Sequence, residues 1–479
     1  MKQRQKTKLK QLEKQLIQTQ TASIQIPEDP TEFCTKILGF TPTPYQKQLI
    51  RLFQTNQFIA ARWCRQSGKT QTIAAILLWH ALKNPKTQIG IIGPSWRQTK
   101  LVIRRINAFL RKLPKNLYQK PLHTMVRLTN GSLIEAFPNN PETIRGPTLD
   151  LVYCDEMNFI SKDEELYDAV LFTLGTTNGK FICSSTPWTT DSIFYKIWHD
   201  SAFSDFAKSH VTWQDATEPK GPLKRKILEK IKRQLEGDPW RWRREMEAEW
   251  AEDESVWLSQ ALITSCIDSQ LEYASFNHAV IGEFYAGLDL GKHQDYSALA
   301  IVQMEDSSIK LIHMHRFPLQ TAYASVIGYV KTLCDRWQKI RKVLVDMTGV
   351  GDYIAEDMVN AGITQTEGVK FTQETKAKLA EWLKRCMTEN RLKIPYDGEL
   401  IAELNVERFE LTKEGKIRFN HPEGTHDDRF WSLALACYAT RGLGAPKLWV
   451  LPRLASVSKV RLERLRKKLL KHRVLGVLR

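Results

Sequence analysis

The segment between residues 58 and 82 constrains the fold more than any other part of the chain. Phe58-Ile59-Ala60-Ala61 is an apolar run typical of a buried strand, and residues 70–82 have the pattern of a helix. Between them, Gly68-Lys69-Thr70 matches the end of the phosphate-binding loop GxxxxGK[ST], whose first glycine is replaced here by Trp63. This order predicts an α/β fold with a phosphate group held at the edge of its sheet.

The loop residues have distinct expected roles in binding ATP. Gly68 lets backbone N–H groups approach phosphate, the Lys69 ammonium reaches the β and γ oxygens, and the Thr70 hydroxyl ligates Mg²⁺. We assign the preceding residues Arg65, Gln66 and Ser67 to the same site. The alternative is a chance Gly-Lys-Thr before a surface helix.

A second motif of the nucleotide site follows the apolar run Leu151 to Cys154. Asp155 and Glu156 are adjacent there, at the end of a predicted strand. An aspartate there can hold the Mg²⁺ ion, and the neighbouring glutamate can polarise the attacking water as a general base. An acidic pair that only caps the next helix is the alternative.

Weaker signals accompany these motifs. Tyr45 could stack on adenine and Gln46 could hydrogen-bond it, although a helix start with an exposed glutamine is the better explanation of these two residues taken alone. The hydroxyls of Ser184, Ser185 and Thr186 end the next predicted strand, where they could sense the γ-phosphate. Either Arg65 or Arg145 could neutralise charge that develops on that phosphate.

Separated acids in the second half suggest a different chemistry. Asp289 and Asp346 lie in or at the end of apolar strands, and Asp427-Asp428 opens an apolar helix. Carboxylates on apolar strands need metals or partners, and three of them together could hold two Mg²⁺ or Mn²⁺ ions for phosphodiester cleavage. We favour Asp428 over Asp427 as the third ligand. Turn and helix-capping roles are the alternative for each acid taken alone.

The pattern of elements predicts an α/β protein with two sheets. Strand and helix runs alternate up to about Trp213, which favours a parallel-rich sheet, whereas three strands joined by short turns follow Tyr285 and favour a mixed one. The order of elements after Tyr285, three strands followed by a helix, a further strand and a late acidic helix, is that of a ribonuclease-H-like fold. The predicted organisation is a basic N-terminal arm (1–30), a P-loop ATPase domain (31–215), a small helical subdomain (216–254), a linker (255–283), a ribonuclease-H-like nuclease domain (284–445) and a basic C-terminal tail (446–479).

Charge and cysteine usage narrow the class of partner. The formal net charge of +17 favours a polyanion, most often a nucleic acid. Eight cysteines without a CxxC pair indicate neither a zinc site nor a disulfide framework, as expected in a reducing cytoplasm. We expect no signal peptide and no membrane-spanning segment.

These motifs, in this order, resemble the large terminase subunit of tailed bacteriophages. The resemblance is carried by Arg65-Gln66-Ser67-Gly68-Lys69-Thr70, Tyr153-Cys154-Asp155-Glu156, Gly287-Leu288-Asp289, Val345-Asp346 and His426-Asp427-Asp428. It implies an ATP-driven motor that packages double-stranded DNA into a procapsid, and a metal-dependent endonuclease that cuts concatemeric DNA. It also implies that residues 184–186 couple hydrolysis to DNA movement and that Arg145 acts on a neighbouring subunit.

The same resemblance implies partners and a location. They are double-stranded DNA, the portal ring, a small terminase subunit and further copies in a ring, in the host cytoplasm and transiently at the portal vertex, with a monomer in solution as the alternative. Two other functions remain open from the sequence. One is an ATPase-nuclease of DNA repair or mobile-element transfer, and the other is a DNA-binding capsid-assembly factor with dead sites.

Overall fold

The computed structural model describes residues 25–442, apart from short gaps at 237, 253–254, 292–294, 338, 349–352, 412–416 and 424. The chain up to Thr440 forms one compact unit. Almost all of the predicted basic N-terminal arm and the whole basic C-terminal tail lie outside the described residues.

The first half contains a seven-stranded sheet in the order β3-β4-β2-β5-β6-β1-β7. All neighbouring strands pair in parallel except β3, which runs antiparallel to β4 at one edge. Its strands are Phe58–Trp63 (β1), Gln88–Ile92 (β2), Met125–Arg127 (β3), Leu133–Ala136 (β4), Leu151–Asp155 (β5), Lys180–Ser185 (β6) and Phe206–Val211 (β7). The predicted parallel-rich sheet is therefore confirmed.

Helices connect and cover these strands, and a short helical stretch follows them. They are Pro30–Glu32 (α1), Pro44–Thr55 (α2), Lys69–Lys83 (α3), Trp96–Leu110 (α4), Pro141–Ile144 (α5), Asp163–Leu174 (α6), Ile193–His199 (α7), Trp213–Ala216 (α8), Arg225–Gln234 (α9), Pro239–Glu245 (α10) and Gln260–Ser265 (α11). Helix α3 is buried along most of its length, because its own side chains are apolar on nearly every face.

The second half contains a six-stranded mixed sheet in the order β12-β11-β8-β9-β10-β13. Strands β8, β9 and β10 form the predicted antiparallel meander, and β11 adds in parallel to β8. The strands are Glu283–Asp289 (β8), Ala298–Glu305 (β9), Ser308–Arg316 (β10), Ile340–Asp346 (β11), Thr366–Val369 (β12) and Leu392–Lys393 (β13), with a separate hairpin of Arg408–Leu411 (β14) and Ile417–Asn420 (β15).

Five helices belong to this half: Tyr323–Arg336 (α12), Tyr353–Asn360 (α13), Gln373–Thr388 (α14), Gly398–Leu404 (α15) and Asp428–Ala439 (α16). Glu403 and Leu404 end helix α15, and the pairing of the hairpin starts only at Arg408. The apolar spacing of Leu400, Ile401 and Leu404 suits a helix that buries one face.

Helix α16 packs directly on β8. A Cβ atom at Gly287 would lie 2.1 Å from the Ser432 carbonyl oxygen and 2.4 Å from the Ala436 nitrogen, so only glycine permits this approach. The contact sets the start of α16, with Asp428, beside the end of β8, with Asp289.

All eight cysteines are free thiols. Among the described helices, none is both long enough and apolar enough to cross a membrane.

Candidate functional site

The phosphate-binding loop begins one residue later than the motif would place it. Trp63 is the last residue of β1, fully buried, and its indole nitrogen donates to the Ser209 hydroxyl at 2.9 Å. The turn itself runs from Cys64 to Gly68, whose φ of +86° is a left-handed conformation that favours glycine. Position 63 therefore holds a core side chain instead of a loop glycine.

Tyr45 packs into the core beside the loop. Its side chain is buried, its ring packs edge-on against Trp63, and its hydroxyl donates to the Ser67 carbonyl at 2.8 Å. These contacts let Tyr45 support the loop from behind and do not favour adenine stacking, which stays a prediction. Burial of an aromatic beside a loop is a tertiary outcome that the local sequence does not determine.

Gln46 lies on the wall of the cavity but is committed to structural contacts. Its Oε1 accepts from the Thr43 backbone nitrogen at 2.9 Å in the cap of α2, and its Nε2 lies 3.5 Å from the Ser67 carbonyl oxygen. Its recognition of adenine stays a prediction.

An open cavity of about 600 Å³ adjoins the loop, at the carboxyl ends of the parallel strands. Such edges are where α/β sheets bind nucleotides. Its lining includes the predicted residues Gln46, Arg65, Gln66, Ser67, Gly68, Lys69, Thr70, Glu156 and Thr186, together with Phe40, Thr41, Thr43, Cys64, Gln71, Arg105, Gly221, Pro222 and Tyr396.

Lys69 and Glu156 form a largely buried ion pair in this cavity, with Nζ 3.0 Å from Oε1. Burial pushes the pKa of Glu156 upward, but the Lys69 ammonium, the charge of Arg65 and the Thr186 backbone N–H together hold the pKa below its ordinary value. The carboxylate is therefore ionised, as a general base must be. Glu156 also has a left-handed backbone (φ +48°), an uncommon conformation for a non-glycine residue.

Asp155 is fully buried beside this pair and is held by two hydroxyls. Its Oδ1 accepts from Tyr153 at 2.6 Å and lies 3.3 Å from the Ser184 hydroxyl. Burial raises the pKa of Asp155, and the charge of Glu156 raises it further. A buried carboxylate with this environment suits a ligand of a divalent cation, which would stabilise its charge.

The end of β6 contacts the predicted base directly. The Ser185 hydroxyl lies 3.2 Å from Glu156 Oε2, and the Thr186 backbone nitrogen donates to the same oxygen at 3.3 Å. Together with the Ser184 contact to Asp155, the three residues of the predicted coupling segment all lie beside the two acids.

The two candidate arginines occupy different cavities. Arg65 lines the nucleotide cavity, where its Nε lies 3.4 Å from Glu245. Arg145 is exposed at the end of α5 and lines a separate cavity of about 570 Å³ with Glu142 and Lys162. Within the described chain, Arg145 is therefore not part of the cavity that contains Lys69.

The acids of the second half come from adjacent elements. Strands β8 and β11 pair in parallel with Leu288 opposite Val345, so Asp289 and Asp346 end neighbouring strands. Burial raises the pKa of Asp289 well above its usual range, and the charges of Asp427, Asp428 and Asp346 raise it further. Residues distant in sequence therefore form one acidic cluster.

Asp428 has the features expected of a metal ligand. It is buried, its Oδ2 accepts no hydrogen bond, and burial followed by the charge of Glu403 raises its pKa to about 8. A cation would relieve this cost, so the acids fit Mg²⁺ or another hard divalent ion. As the described side chains stand, however, no three His, Cys, Asp or Glu residues form a ready metal-binding group.

Asp427 is engaged elsewhere. The Trp431 indole nitrogen donates to its Oδ2 at 2.7 Å, and His421 Nε2 lies 3.7 Å from its Oδ1. The Lys376 ammonium in turn lies over Trp431, with Nζ 4.4 Å from the ring centroid. These contacts favour Asp428 as the ligand and Asp427 as a support.

Three functional candidates escaped the sequence analysis. Glu407 is almost fully buried, its Oε2 has no hydrogen-bond partner, and burial together with Asp427 raises its pKa well above the usual range. Lys376 places a positive charge close to the acids, and Tyr396 reaches the nucleotide cavity from the second half. No local motif marks any of them, because each reaches its site only through the tertiary fold.

Comparison with known proteins agrees with this arrangement. Residues 64–265 match the family described as terminase large subunit, T4likevirus-type, N-terminal. The chain is also similar to a terminase large subunit of Thermus phage G20c, at 23% identity over 85% of this chain and 89% of the relative. The corresponding subunit of Thermus virus P23-45 is 24% identical over the same shares.

A solved structure is similar to part of the chain. It is the large terminase nuclease of thermophilic phage G20c with bound magnesium, at 25% identity, covering 35% of this chain and 84% of that one with a TM-score of 0.30. The family match over residues 64–265 and the two relatives aligned along most of the chain show that this protein is similar to terminase large subunits.

Proposed function

We propose that this chain hydrolyses ATP to move double-stranded viral DNA into a procapsid, and that it cuts concatemeric DNA at a separate two-metal site. The observation that carries the proposal is the cavity at the edge of the first sheet, where the loop lysine is paired with a buried glutamate. The acidic cluster at the ends of β8, β11 and the start of α16 supplies the second activity.

In the ATPase site, each side chain has a role that its position supports. Gly68 leaves the loop backbone open to phosphate, and Lys69 neutralises phosphate charge. Thr70 and Asp155 would hold Mg²⁺, which offsets the charge on the phosphate oxygens. Glu156, ionised and next to Lys69, accepts the proton of the attacking water. Arg65 is available within the same cavity, and Arg145 is available to a neighbouring copy.

In the nuclease site, Asp289, Asp346 and Asp428 would hold two divalent ions, with Asp427 in support. The ions would lower the pKa of a bound water and stabilise the leaving 3′ oxygen. Mg²⁺ is the physiological choice, and Mn²⁺ would replace it because both accept oxygen ligands. The buried Asp428 Oδ2, which accepts no hydrogen bond and lies 3.9 Å from His426 Nδ1, supports the place of Asp428 among the ligands.

The assembly around this chain is inferred from its similarity to terminase large subunits. We expect a homo-oligomeric ring on the portal protein, a small terminase subunit that selects DNA, and a location at the procapsid vertex of the host cell. The net charge of +17 suits a long polyanionic substrate. The domain boundaries given above are part of the same proposal.

Two single substitutions test the two-site arrangement. Lys69→Ala should abolish ATP turnover and leave Mn²⁺-dependent nicking of plasmid intact, whereas Asp346→Asn should do the reverse. Loss of both activities in both variants would contradict separate sites. If the unaltered chain shows neither activity with DNA present, the capsid-assembly role with dead sites would replace this proposal.

A further inference from the structure

The nucleotide cavity is not built from the first half alone. Tyr396 follows β13 in the nuclease half, yet its side chain lines the same cavity as Lys69 and Glu156. The segment is fixed on its far side, because Ile394 exchanges backbone hydrogen bonds with Cys266 and Asp268, and Tyr273 donates to Asp397.

Tyr396 lies at the end of the cavity where hydrolysis would occur. Its ring packs edge-on against Phe159, which follows Glu156 in the chain. After burial, the charge of Glu156 is the largest cause that raises the pKa of Tyr396, so the phenol stays protonated close to the general base. Among the described residues, none accepts a hydrogen bond from its hydroxyl, which leaves this donor available to a ligand.

The neighbouring backbone touches the phosphate-binding loop. A Cβ atom at Gly398 would lie 3.6 Å from the guanidinium nitrogens of Arg65. Gly398 begins helix α15, which carries Glu399 and Glu403. Both glutamates bind the guanidinium of Arg429, and Glu403 Oε2 also accepts from its backbone nitrogen at 2.9 Å. Arg429 directly follows Asp428, so one short helix links the two sites.

We propose that Tyr396 is a γ-phosphate-binding residue, so that the nucleotide site is complete only when the nuclease half is docked against it. The hydroxyl donates a hydrogen bond to a γ-phosphate oxygen, and ATP thereby holds α15 in place while ADP does not. This inference rests on the proposed ATPase function.

The test compares Tyr396→Phe with the unaltered full-length chain. We expect the affinity for a non-hydrolysable ATP analogue with Mg²⁺ to fall about fivefold to tenfold, since one hydrogen bond to a charged group is lost, while ADP affinity is unchanged. Tyr353→Phe is the matched control, because Tyr353 is 73% exposed and outside the cavity. An equal change for both nucleotides, or none, would overturn the inference.

A second measurement uses the unaltered chain. Amide hydrogen exchange across residues 396–404 should slow when the ATP analogue binds and stay unchanged with ADP. Equal protection by both nucleotides, or by neither, would also overturn the inference. If the unaltered chain binds neither the ATP analogue nor ADP, the proposed ATPase function fails instead of the inference about Tyr396. Lys69→Ala should remove binding of both nucleotides, which distinguishes loss of the whole nucleotide site from loss of the γ-phosphate contact alone.

Discussion

Lys69 and Glu156, 87 residues apart in the chain, meet with 3.0 Å between Nζ and Oε1 in a largely buried pair. The lysine that we propose binds phosphate is thus neutralised by the glutamate that we propose activates water. We expect incoming phosphate to compete for the ammonium and so to free the carboxylate to bind a water. We therefore expect phosphate binding at Lys69 to release Glu156 for its role as the general base.

Replacing Glu156 with glutamine should strengthen ATP binding while abolishing turnover. The amide cannot accept a proton from water, and it no longer holds the Lys69 ammonium as a charged partner. We expect affinity to rise about tenfold, which equals about 1.4 kcal/mol. Equilibrium binding and steady-state hydrolysis measure the two effects, and Lys69→Ala serves as the control that loses both. Weaker binding by Glu156→Gln would contradict the competition described above.

Tyr153→Phe should impair hydrolysis through Asp155. The lost hydroxyl donates to Asp155 Oδ1 at 2.6 Å and contacts Ser184 at 2.9 Å, so the carboxylate loses its orientation. Turnover should fall about tenfold, and the Mg²⁺ concentration needed for half-maximal rate should rise. A metal titration of ATPase activity checks this. Tyr195→Phe, whose ring stacks on His199 outside the cavity, should change neither quantity.

Lys376→Ala should slow DNA cleavage without affecting ATP hydrolysis. Its ammonium lies over Trp431, and its charge lowers the pKa values of Asp289 and Asp346 against the larger effect of burial. Removing it weakens both phosphate attraction and ionisation of the acids, so cleavage should fall about tenfold or more. Plasmid nicking with Mn²⁺ measures the rate.

Lys378 provides the matched control for that experiment. It lies on the same helix, is half exposed, and pairs with Glu374 on the surface. Lys378→Ala should leave cleavage unchanged, because exposed ion pairs contribute little. An equal loss of cleavage in Lys376→Ala and Lys378→Ala would show that the net positive charge of helix α14 matters, and not the position of Lys376.

Gly287→Ala should destabilise the nuclease half. The new methyl would lie within 2.4 Å of two backbone atoms of α16, which cannot move without shifting the whole helix. We expect a loss of at least about 1–3 kcal/mol, visible as a lower midpoint of thermal unfolding. Gly328→Ala is the opposite control, since a Cβ atom there would meet nothing within 4 Å beyond the neighbouring backbone of helix α12, and the variant should gain up to about 1 kcal/mol of stability.

The sequence determined the type of each sheet and the motifs that end its strands. Apolar runs at β2, β5, β6 and β8 to β11 encode strands directly, since burial on both faces requires continuous apolar side chains. The Gly-Lys-Thr loop and the acids at 155, 156, 289, 346 and 428 were visible for the same reason, as polar groups at the ends of apolar segments.

Only the tertiary structure decided which side chains face the cavities. Tyr45 lies next to a motif but packs into the core, and Arg145 faces a different cavity from Lys69. The direction of each side chain depends on how its helix packs, which the position in the sequence does not show. Glu407, Lys376 and Tyr396 reach the sites from distant segments. Local patterns encode strands and loops through short-range periodicity, whereas a site assembled across two sheets depends on contacts that form only when both halves have packed.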